Sequence, residues 1–228
     1  MRAAFAFIMV GMGLKVAIFP LHLWLPNAYT YAPSAITSFL AATATKVAIY
    51  VMLRFLFSVF QPGFLAEVPT LDLILYPFAI LAMFAASYTA ILQRDLKRML
   101  AYSSIGQVGY MLLGIALLSE SGLMATMIHL FNHGITKAAL FMGVGIYVLN
   151  GGGSFYHNLR GRGKTMPRIS AAMVVAGPSL IGVPGTAGFL RKWLLVEAIL
   201  EQGLWPIPLS IVPSSFLAVP NAWKFIET

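Results

Sequence analysis

The chain has 228 residues, of which 59% are apolar and 10% are charged, and its mean hydropathy is +0.83. Soluble domains carry about 25% charged residues, so this composition excludes a soluble globular protein and indicates a polytopic membrane protein. The absence of cysteine excludes disulfides and thiolate metal sites, and the net charge of +8 fits basic loops facing anionic lipid better than nucleic-acid binding.

Long apolar segments follow one another along the whole chain. A membrane-spanning helix needs about 20 apolar residues, and about six to seven segments approach that length. In chain order they cover residues 3–19, 32–60, 71–92, 99–119, 122–149, 169–201 and 204–225. The last is the weakest candidate because it contains several prolines. The sequence therefore predicts an all-α, polytopic transmembrane helical bundle that forms a single transmembrane domain over residues 1–228.

Helix-breaking residues interrupt two of these segments, near Lys15 and within residues 177–188. The residues that break the helical pattern are Pro20, Pro178, Pro184 and Gly185. A broken membrane helix leaves backbone groups that protein or water must satisfy, and interrupted segments in corresponding positions point to ion sites in transporters with internal repeats. We therefore expect discontinuous helices at an ion pathway; a plain kink is the alternative.

Ionisable residues lie in the middle of the segment 122–149. His129, His133 and Lys137 are spaced four residues apart, so on a helix they drift by only about 40° per step and form one stripe. An apolar environment favours an uncharged lysine that can take and release a proton, and histidine, which titrates near neutrality, can pass it on. This histidine–lysine stripe predicts a proton relay, with a packing role for either histidine as the alternative.

A metal site at the two histidines is the competing interpretation. The metalloprotease pattern needs glutamate directly after the first histidine, where Leu130 stands, and no third ligand is evident. Nucleotide-binding glycine motifs are also missing from the sequence. We therefore predict no metal and no cofactor.

Further lysines lie inside or beside apolar segments. Lys46 and Lys137 lie about 14 residues from the start of their segments, roughly 20 Å deep, which is too far for an ammonium to reach the surface easily. Lys15 and Lys192 lie beside the predicted helix breaks. A charged group inside the membrane is costly and points to function, so we interpret these lysines as part of a proton pathway.

The loops indicate an orientation in the membrane. The loops 94–98 and 160–168 are basic and are separated by two predicted spans, so they lie on one side, whereas the turns at 67–72 and at Glu120 are acidic and lie on the other. The positive-inside rule places the two basic loops in the cytoplasm. We therefore expect a multi-pass protein of the cell's inner (plasma) membrane.

Four sequence blocks resemble a known family. They are GLKVAIFPLHLWLPNAYTYAPSAITSFLAATATKVAIY, RDLKRMLAYSSIGQVGYMLLG, HLFNHGITKAALF and GVPGTAGFLRKW. In this order they are similar to the proton-conducting membrane subunits shared by respiratory complex I and the multisubunit Na⁺/H⁺ antiporters of the Mrp type. The amino-acid sequence of the first block most resembles the D-type subunit of the monovalent cation/H⁺ antiporters.

The resemblance implies a role for each buried basic residue. Lys15 matches the central lysine of the first half-channel, Lys46 the connecting lysine, and Lys192 the terminal lysine of the second half-channel. The residues that match the relay of the second half are His129, His133 and Lys137. Those that match a loop with a structural and orienting role are Asp95, Lys97 and Arg98.

Complete members of the family have about fourteen helices in two inverted repeats, so the resemblance implies that this chain is a fragment. Residues 1–60 would be the end of the first repeat, and residues 71–228 most of the second.

The leading hypothesis is a proton-translocating subunit of a multisubunit Na⁺/H⁺ antiporter. Its partners would be other membrane subunits, lipid, H⁺ and, as a second ion, Na⁺, but not nucleic acid. One alternative is an antiporter-like subunit of NADH-quinone oxidoreductase (complex I) or of a related membrane hydrogenase. Another is a truncated structural or assembly subunit without transport. The chain itself shows no redox or hydrolytic centre, so an enzymatic role would come only from membership of such a complex.

Overall fold

The computed structural model describes residues 1–60, 64–65, 71–151, 153–159 and 161–226, and these ranges are helical almost throughout. The helices in chain order are α1 (Arg2–Val16), α2 (Trp24–Tyr31), α3 (Ser34–Arg54), α4 (Leu71–Leu92), α5 (Leu96–Ala116), α6 (Glu120–Gly151), α7 (Tyr156–Leu159), α8 (Arg162–Thr165), α9 (Pro167–Ile181), α10 (Ala187–Glu201), α11 (Pro208–Phe216) and α12 (Val219–Ile226). A π-helix over Phe55–Phe60 continues α3. The predicted all-α bundle is confirmed.

Four helices in the described ranges are long and apolar enough to cross a membrane: Ser34–Phe60, Leu73–Leu92, α5 and α6. Of these, α5 is the most enclosed, because nearly all of its residues are buried by neighbouring helices. The other three bury half of their residues or less and present apolar side chains outward, as membrane-facing helices do. The ionisable side chains of α6 are thus positioned against a central helix that neighbouring helices enclose.

Small residues bring these helices close together. A Cβ placed on Gly109 of α5 would lie 2.7 Å from the carbonyl oxygen of Ala79 on α4, and one placed on Gly143 of α6 would lie 2.7 Å from the Met173 side chain on α9. Glycine at such positions lets helix backbones approach each other, which is how membrane helices gain packing contacts.

The remaining predicted spans are built from shorter helices. The first is α1, which has 15 residues and is only about 22 Å long, less than the bilayer core of about 30 Å. The sixth predicted span is divided into α9 and α10, and the seventh into α11 and α12. Pro208 is in the first turn of α11, where its missing N–H costs nothing.

The first helix break lies directly after Lys15. α1 ends at Val16, and Ala17 adopts a left-handed conformation with φ 63°. The amide of Ile18 donates to the carbonyl of Gly13 at 2.9 Å, which closes the helix in the manner of a Schellman motif. The indole of Trp24, the first residue of α2, donates to the Leu14 carbonyl at 2.8 Å. The predicted discontinuity is confirmed, but the helix ends four residues before Pro20.

The second break separates α9 from α10. Pro178 lies inside α9 instead of breaking it, because the missing N–H removes only one hydrogen bond, while the Pro178 carbonyl accepts from Gly182 at 3.0 Å and from Val183 at 3.2 Å. The helix ends where Gly182 turns left-handed, with φ 91°, a conformation that glycine adopts without strain. Pro184 and Gly185 lie in the connection before α10.

The first basic loop contacts residues 154–156, which precede the second basic loop, at one end of the bundle. The Leu96 amide donates to the Ser154 carbonyl at 2.9 Å, and the Tyr156 amide to the Arg94 carbonyl at 3.2 Å. Asp95 is the N-cap of α5: its Oδ1 accepts from the Arg98 amide at 2.9 Å, and its Oδ2 accepts from the Ser154 hydroxyl. Arg160, in the second basic loop, and Glu67, in the predicted acidic turn, lie outside the described residues.

Replacing Asp95 with alanine is expected to lower the free energy of unfolding by about 2 kcal/mol, because the helix cap and a charge-assisted hydrogen bond are both lost. Thermal unfolding in detergent, followed by tryptophan fluorescence, measures this change. Glu120→Ala is the matched control, since Glu120 is an exposed carboxylate in the first turn of α6. Equal stability of the two variants would contradict a stabilising role for the Asp95 contacts.

Candidate functional site

The histidine–lysine stripe is formed on a single continuous helix. α6 runs unbroken through His129, His133 and Lys137, so residues four apart stay on one face. All three side chains are buried, with exposed fractions of 1%, 0% and 0%. The two imidazole rings are perpendicular, with their centroids 6.2 Å apart. The stripe is therefore a row of ionisable groups shielded from the surroundings of the bundle.

Lys137 is held against the central helix α5. Its Nζ donates to the Leu100 carbonyl at 2.8 Å and to the Ser103 hydroxyl. The Ser103 hydroxyl in turn donates to the same carbonyl at 3.0 Å. These partners are neutral, so they accept a hydrogen bond from the lysine without fixing it as a cation.

Lys46 approaches the stripe from α3. It is buried, and its Nζ donates to the Ala41 carbonyl of its own helix. A Cβ placed on Gly134 of α6 would lie 3.2 Å from the Ala42 carbonyl oxygen and 3.9 Å from Lys46 Cε. Because Gly134 directly follows His133, this close helix contact places the Lys46 stem beside the stripe.

At the other end of the stripe, α5 supplies an amide and a phenol. His129 Nε2 forms a hydrogen bond with Gln107 Oε1 at 3.0 Å, and Gln107 Nε2 donates to the Leu180 carbonyl at 3.5 Å. The ring of Tyr110 lies 6.0 Å from the ring of His129, measured between centroids. Lys192 Nζ lies 4.7 Å from the centroid of the Tyr110 ring. Gln107 and Tyr110 thus connect the stripe to the region of the second helix break.

Lys192 binds across that break. Its Nζ donates to the Ile181 carbonyl, at the end of α9, at 2.6 Å and to the Ser215 hydroxyl of α11 at 2.7 Å. The Tyr110 hydroxyl forms a hydrogen bond with the neighbouring Ser214 hydroxyl at 2.7 Å. The last carbonyls of a helix carry partial negative charge, which explains why a buried ammonium is stable at this place.

The structure brings together five of the six residues expected on the proton pathway, namely Lys46, His129, His133, Lys137 and Lys192. Lys15 is the exception, since it is exposed in the last turn of α1. The residues of the predicted orienting loop lie apart from the pathway. Among them, Lys97 donates to the Ala32 carbonyl at 3.2 Å and so covers the end of α2.

Acidic side chains are missing from the buried row in the described part of the chain. Asp95 caps α5 at the loop end, and Glu120, Glu197 and Glu201 are exposed. The buried lysines are instead surrounded by carbonyls and hydroxyls. Protons in this row would therefore not be trapped by a permanent ion pair.

Sequence reasoning missed four residues of the site. They are Ser103, Gln107, Tyr110 and Arg191. A buried glutamine inside a charge-free span was a usable signal for Gln107, because a polar side chain inside a membrane helix needs a partner. Arg191 stands next to Lys192, but only the structure shows that it is completely buried.

Comparison with known proteins identifies related chains. Residues 1–218 match the family described as NADH:quinone oxidoreductase/Mrp antiporter, TM. NADH-quinone oxidoreductase subunit N of Desulforudis audaxviator (strain MP104C) is 40% identical over 224 residues, which cover 98% of this chain and 44% of that protein.

Solved structures agree with this relationship. A chain of the Mrp complex from Dietzia sp. DQ12-45-1b superposes with a TM-score of 0.89 at 29% identity, over 98% of this chain and 41% of that one. A chain of the archaeal membrane-bound sulfane sulfur reductase superposes with a TM-score of 0.85 at 34% identity, over 96% of this chain and 44% of that one. The chain thus spans less than half the length of these relatives. It belongs to the family of membrane subunits shared by NADH:quinone oxidoreductases and Mrp antiporters.

Proposed function

We propose that this chain is a proton-translocating membrane subunit of a complex of the NADH-quinone oxidoreductase type. The observation that carries the proposal is the buried row from Lys46 through the stripe to Lys192, which the Gln107 and Tyr110 contacts make continuous. A row of titratable groups across a helical bundle is the arrangement expected of a proton relay.

Protons in this proposal are held on lysine nitrogens and passed by the histidines and by water. His133 supports this role, because neither of its ring nitrogens has a hydrogen-bond partner among the described residues. A neutral imidazole accepts a proton at one nitrogen and releases one from the other. Lys46 on α3 lies beside the stripe that contains Lys137 on α6, and two like charges so placed repel. A proton arriving on one lysine therefore favours departure of the proton from the other.

For the type of complex to which the chain is proposed to belong, the comparisons favour complex I over the Mrp antiporter. The sequence alone most resembled the D-type antiporter subunit, but the curated relative at 40% identity is a subunit N of NADH-quinone oxidoreductase. The chain from the Mrp complex is 29% identical. We therefore place complex I first and the Na⁺/H⁺ antiporter second.

The proposed setting is a multisubunit complex in the inner (plasma) membrane. Contacts of the first basic loop with residues 154–156, which precede the second basic loop, support the prediction that both loops lie on one side of the membrane, and the positive-inside rule makes that side the cytoplasm. Residues 1–60 and 71–228 are proposed as parts of two repeats. Lys15 enters the pathway only when another segment or subunit covers its exposed side chain.

The two candidate complexes differ in what drives proton transport: NADH oxidation in complex I and Na⁺ exchange in the antiporter. In inverted vesicles that contain the chain together with the products of its neighbouring genes, we expect NADH oxidation to acidify the lumen, and added Na⁺ to leave the pH gradient unchanged. A pH-sensitive fluorescent dye measures the gradient, and vesicles that lack this chain are the control. A gradient that only Na⁺ dissipates would instead assign the chain to an antiporter. A gradient that is the same with and without the chain would support a purely structural subunit.

A further inference from the structure

The Leu180 carbonyl at the second helix break needs hydrogen-bond donors from side chains. In a continuous helix it would accept from the amide four residues later, but that residue is Pro184, which has no N–H. The helix α9 has also ended by then, at Ile181. The carbonyl instead accepts from Arg191 Nη2 at 3.4 Å and from Gln107 Nε2 at 3.5 Å. The break therefore leaves an acceptor that is open to the amide of Gln107.

This acceptor fixes the direction in which the Gln107 amide points. The Gln107 side chain is buried, with an exposed fraction of 5%, so its partners are other groups of the protein. A carbonyl oxygen accepts hydrogen bonds and has no hydrogen to donate. The NH₂ end of the amide must face Leu180, although this bond is long, because a half-turn of the amide would bring two acceptor oxygens together. The amide oxygen, Oε1, is therefore the end that faces α6.

His129 meets that oxygen with one of its two ring nitrogens. Its Nε2 lies 3.0 Å from Gln107 Oε1, and the exposed fraction of the His129 side chain is 1%. Because an amide oxygen only accepts, Nε2 must carry a hydrogen. In a neutral imidazole the other nitrogen, Nδ1, is then the one that can accept a proton. A hydrogen bond at one ring nitrogen sets the tautomer of a histidine in this way.

The second histidine of the stripe is not constrained in the same manner. Neither ring nitrogen of His133 has a hydrogen-bond partner among the described residues, so both tautomers are open to it. At His129, release of the proton from Nε2 is opposed, because the amide oxygen that faces it does not belong to the groups that titrate in proteins. Release from Nε2 therefore requires that the hydrogen bond between His129 and Gln107 first breaks.

We propose that Gln107 is a positioning residue that holds neutral His129 in the Nε2–H tautomer, so that His129 takes up and releases protons at Nδ1 while this hydrogen bond is intact. Pro184 contributes to the same arrangement, because the N–H that it lacks leaves the Leu180 carbonyl to Gln107. The tautomer is a property of the folded chain and does not depend on transport. Its effect on proton passage rests on the proposed function.

Nuclear magnetic resonance of the histidine rings tests the proposal. The full chain, with ¹³C,¹⁵N-labelled histidine and ¹³C-labelled glutamine, is placed in lipid nanodiscs at about pH 8, where histidine is ordinarily neutral. Correlations between ring nitrogens and ring carbons distinguish Nδ1 from Nε2, and the signals of His129 are those that His129→Gln lacks. We expect a hydrogen on Nε2 and none on Nδ1, and a through-space signal between the Nε2 hydrogen and the side-chain carbonyl carbon of Gln107.

The variant Gln107→Leu removes the amide and keeps a side chain of similar size. We expect the through-space signal to be lost and His129 to show a mixture of both tautomers, with hydrogen on Nδ1 in part of the molecules. Gln93→Leu is the matched control, because Gln93 Nε2 donates to the Thr89 carbonyl near the end of α4. We expect this control to give the His129 signals of the wild type.

The wild-type spectrum alone can contradict the proposal. Hydrogen on Nδ1 of His129, or no through-space signal to Gln107, overturns it even if Gln107→Leu does not fold. An unchanged tautomer in folded Gln107→Leu overturns it as well. A chain that has the expected tautomer but does not support NADH-driven transport retains this role of Gln107 and loses the proposed function. A chain that transports protons with hydrogen on Nδ1 retains the proposed function and loses this role.

Discussion

Replacing Lys137 with alanine is expected to reduce proton transport by about 100-fold or more, the size of effect seen when a proton-transferring group is removed. Lys137 is completely buried at the end of the stripe that is farther from Lys192, and its nitrogen is held by the Leu100 carbonyl and the Ser103 hydroxyl. Alanine leaves no atom in that place to carry a proton. The initial rate of lumen acidification in inverted vesicles, at equal abundance of the protein, measures the loss.

Two further variants distinguish the loss of a proton-transferring group from the loss of a positive charge and from a nonspecific effect of substitution. Lys137→Arg keeps the positive charge but cannot release a proton, so we expect it to be as inactive as alanine. Lys164→Ala removes an exposed lysine in the second basic loop, and we expect it to transport like the wild type. Normal transport by Lys137→Ala would exclude this residue from the pathway and favour a structural role for the chain.

Gly188→Ala is expected to be the most damaging substitution at the second helix break. A Cβ on Gly188 would lie 1.7 Å from the Ser179 carbonyl oxygen, so α9 and α10 must move apart. That movement breaks the hydrogen bonds of Arg191 and Lys192 to the end of α9. We expect a loss of about 3 kcal/mol or more in the free energy of unfolding, together with loss of proton transport. Thermal unfolding in detergent and vesicle acidification measure the two effects.

Gly11→Ala provides the contrasting control. Gly11 lies inside α1, and nothing approaches within 4 Å of the place where its Cβ would be. Alanine favours a helix interior over glycine by about 0.5–1 kcal/mol, so this variant is expected to be slightly more stable and fully active. If Gly188→Ala keeps wild-type stability and transport, close packing of α9 against α10 is not required for either property.

The sequence predicted those features that depend on a regular spacing of residues along a helix. The stripe on α6 follows from a spacing of four within one uninterrupted helix, and depth along a segment identified Lys46 as buried. Lys15 was expected on the pathway because it lies beside a helix break, but a break does not reveal which face of the helix a residue occupies, so the exposure of Lys15 was not predictable. The burial of Arg191 and its contacts with Ser179 and Leu180 depend on how α10 packs against α9, which no local pattern records.

The ends of helices were predicted less well than their existence. Pro178 and Pro20 were expected to mark the breaks, but the left-handed residues Ala17 and Gly182 end the helices instead. A single proline removes one hydrogen bond and can be accommodated in a last turn, whereas a left-handed residue redirects the chain. The left-handed conformation of Ala17 depends on tertiary contacts, since alanine has no intrinsic preference for it.

The two cations that bind the end of α9 respond differently to a proton. Arg191 donates hydrogen bonds to the Ser179 and Leu180 carbonyls and keeps its charge. The hydrogen bond from Lys192 to the Ile181 carbonyl weakens when the ammonium of Lys192 becomes an amine. Proton occupancy of Lys192 therefore sets how firmly the two half-helices are joined. The connection between α9 and α10 therefore has one hydrogen-bonding contact that does not depend on a proton and one that does.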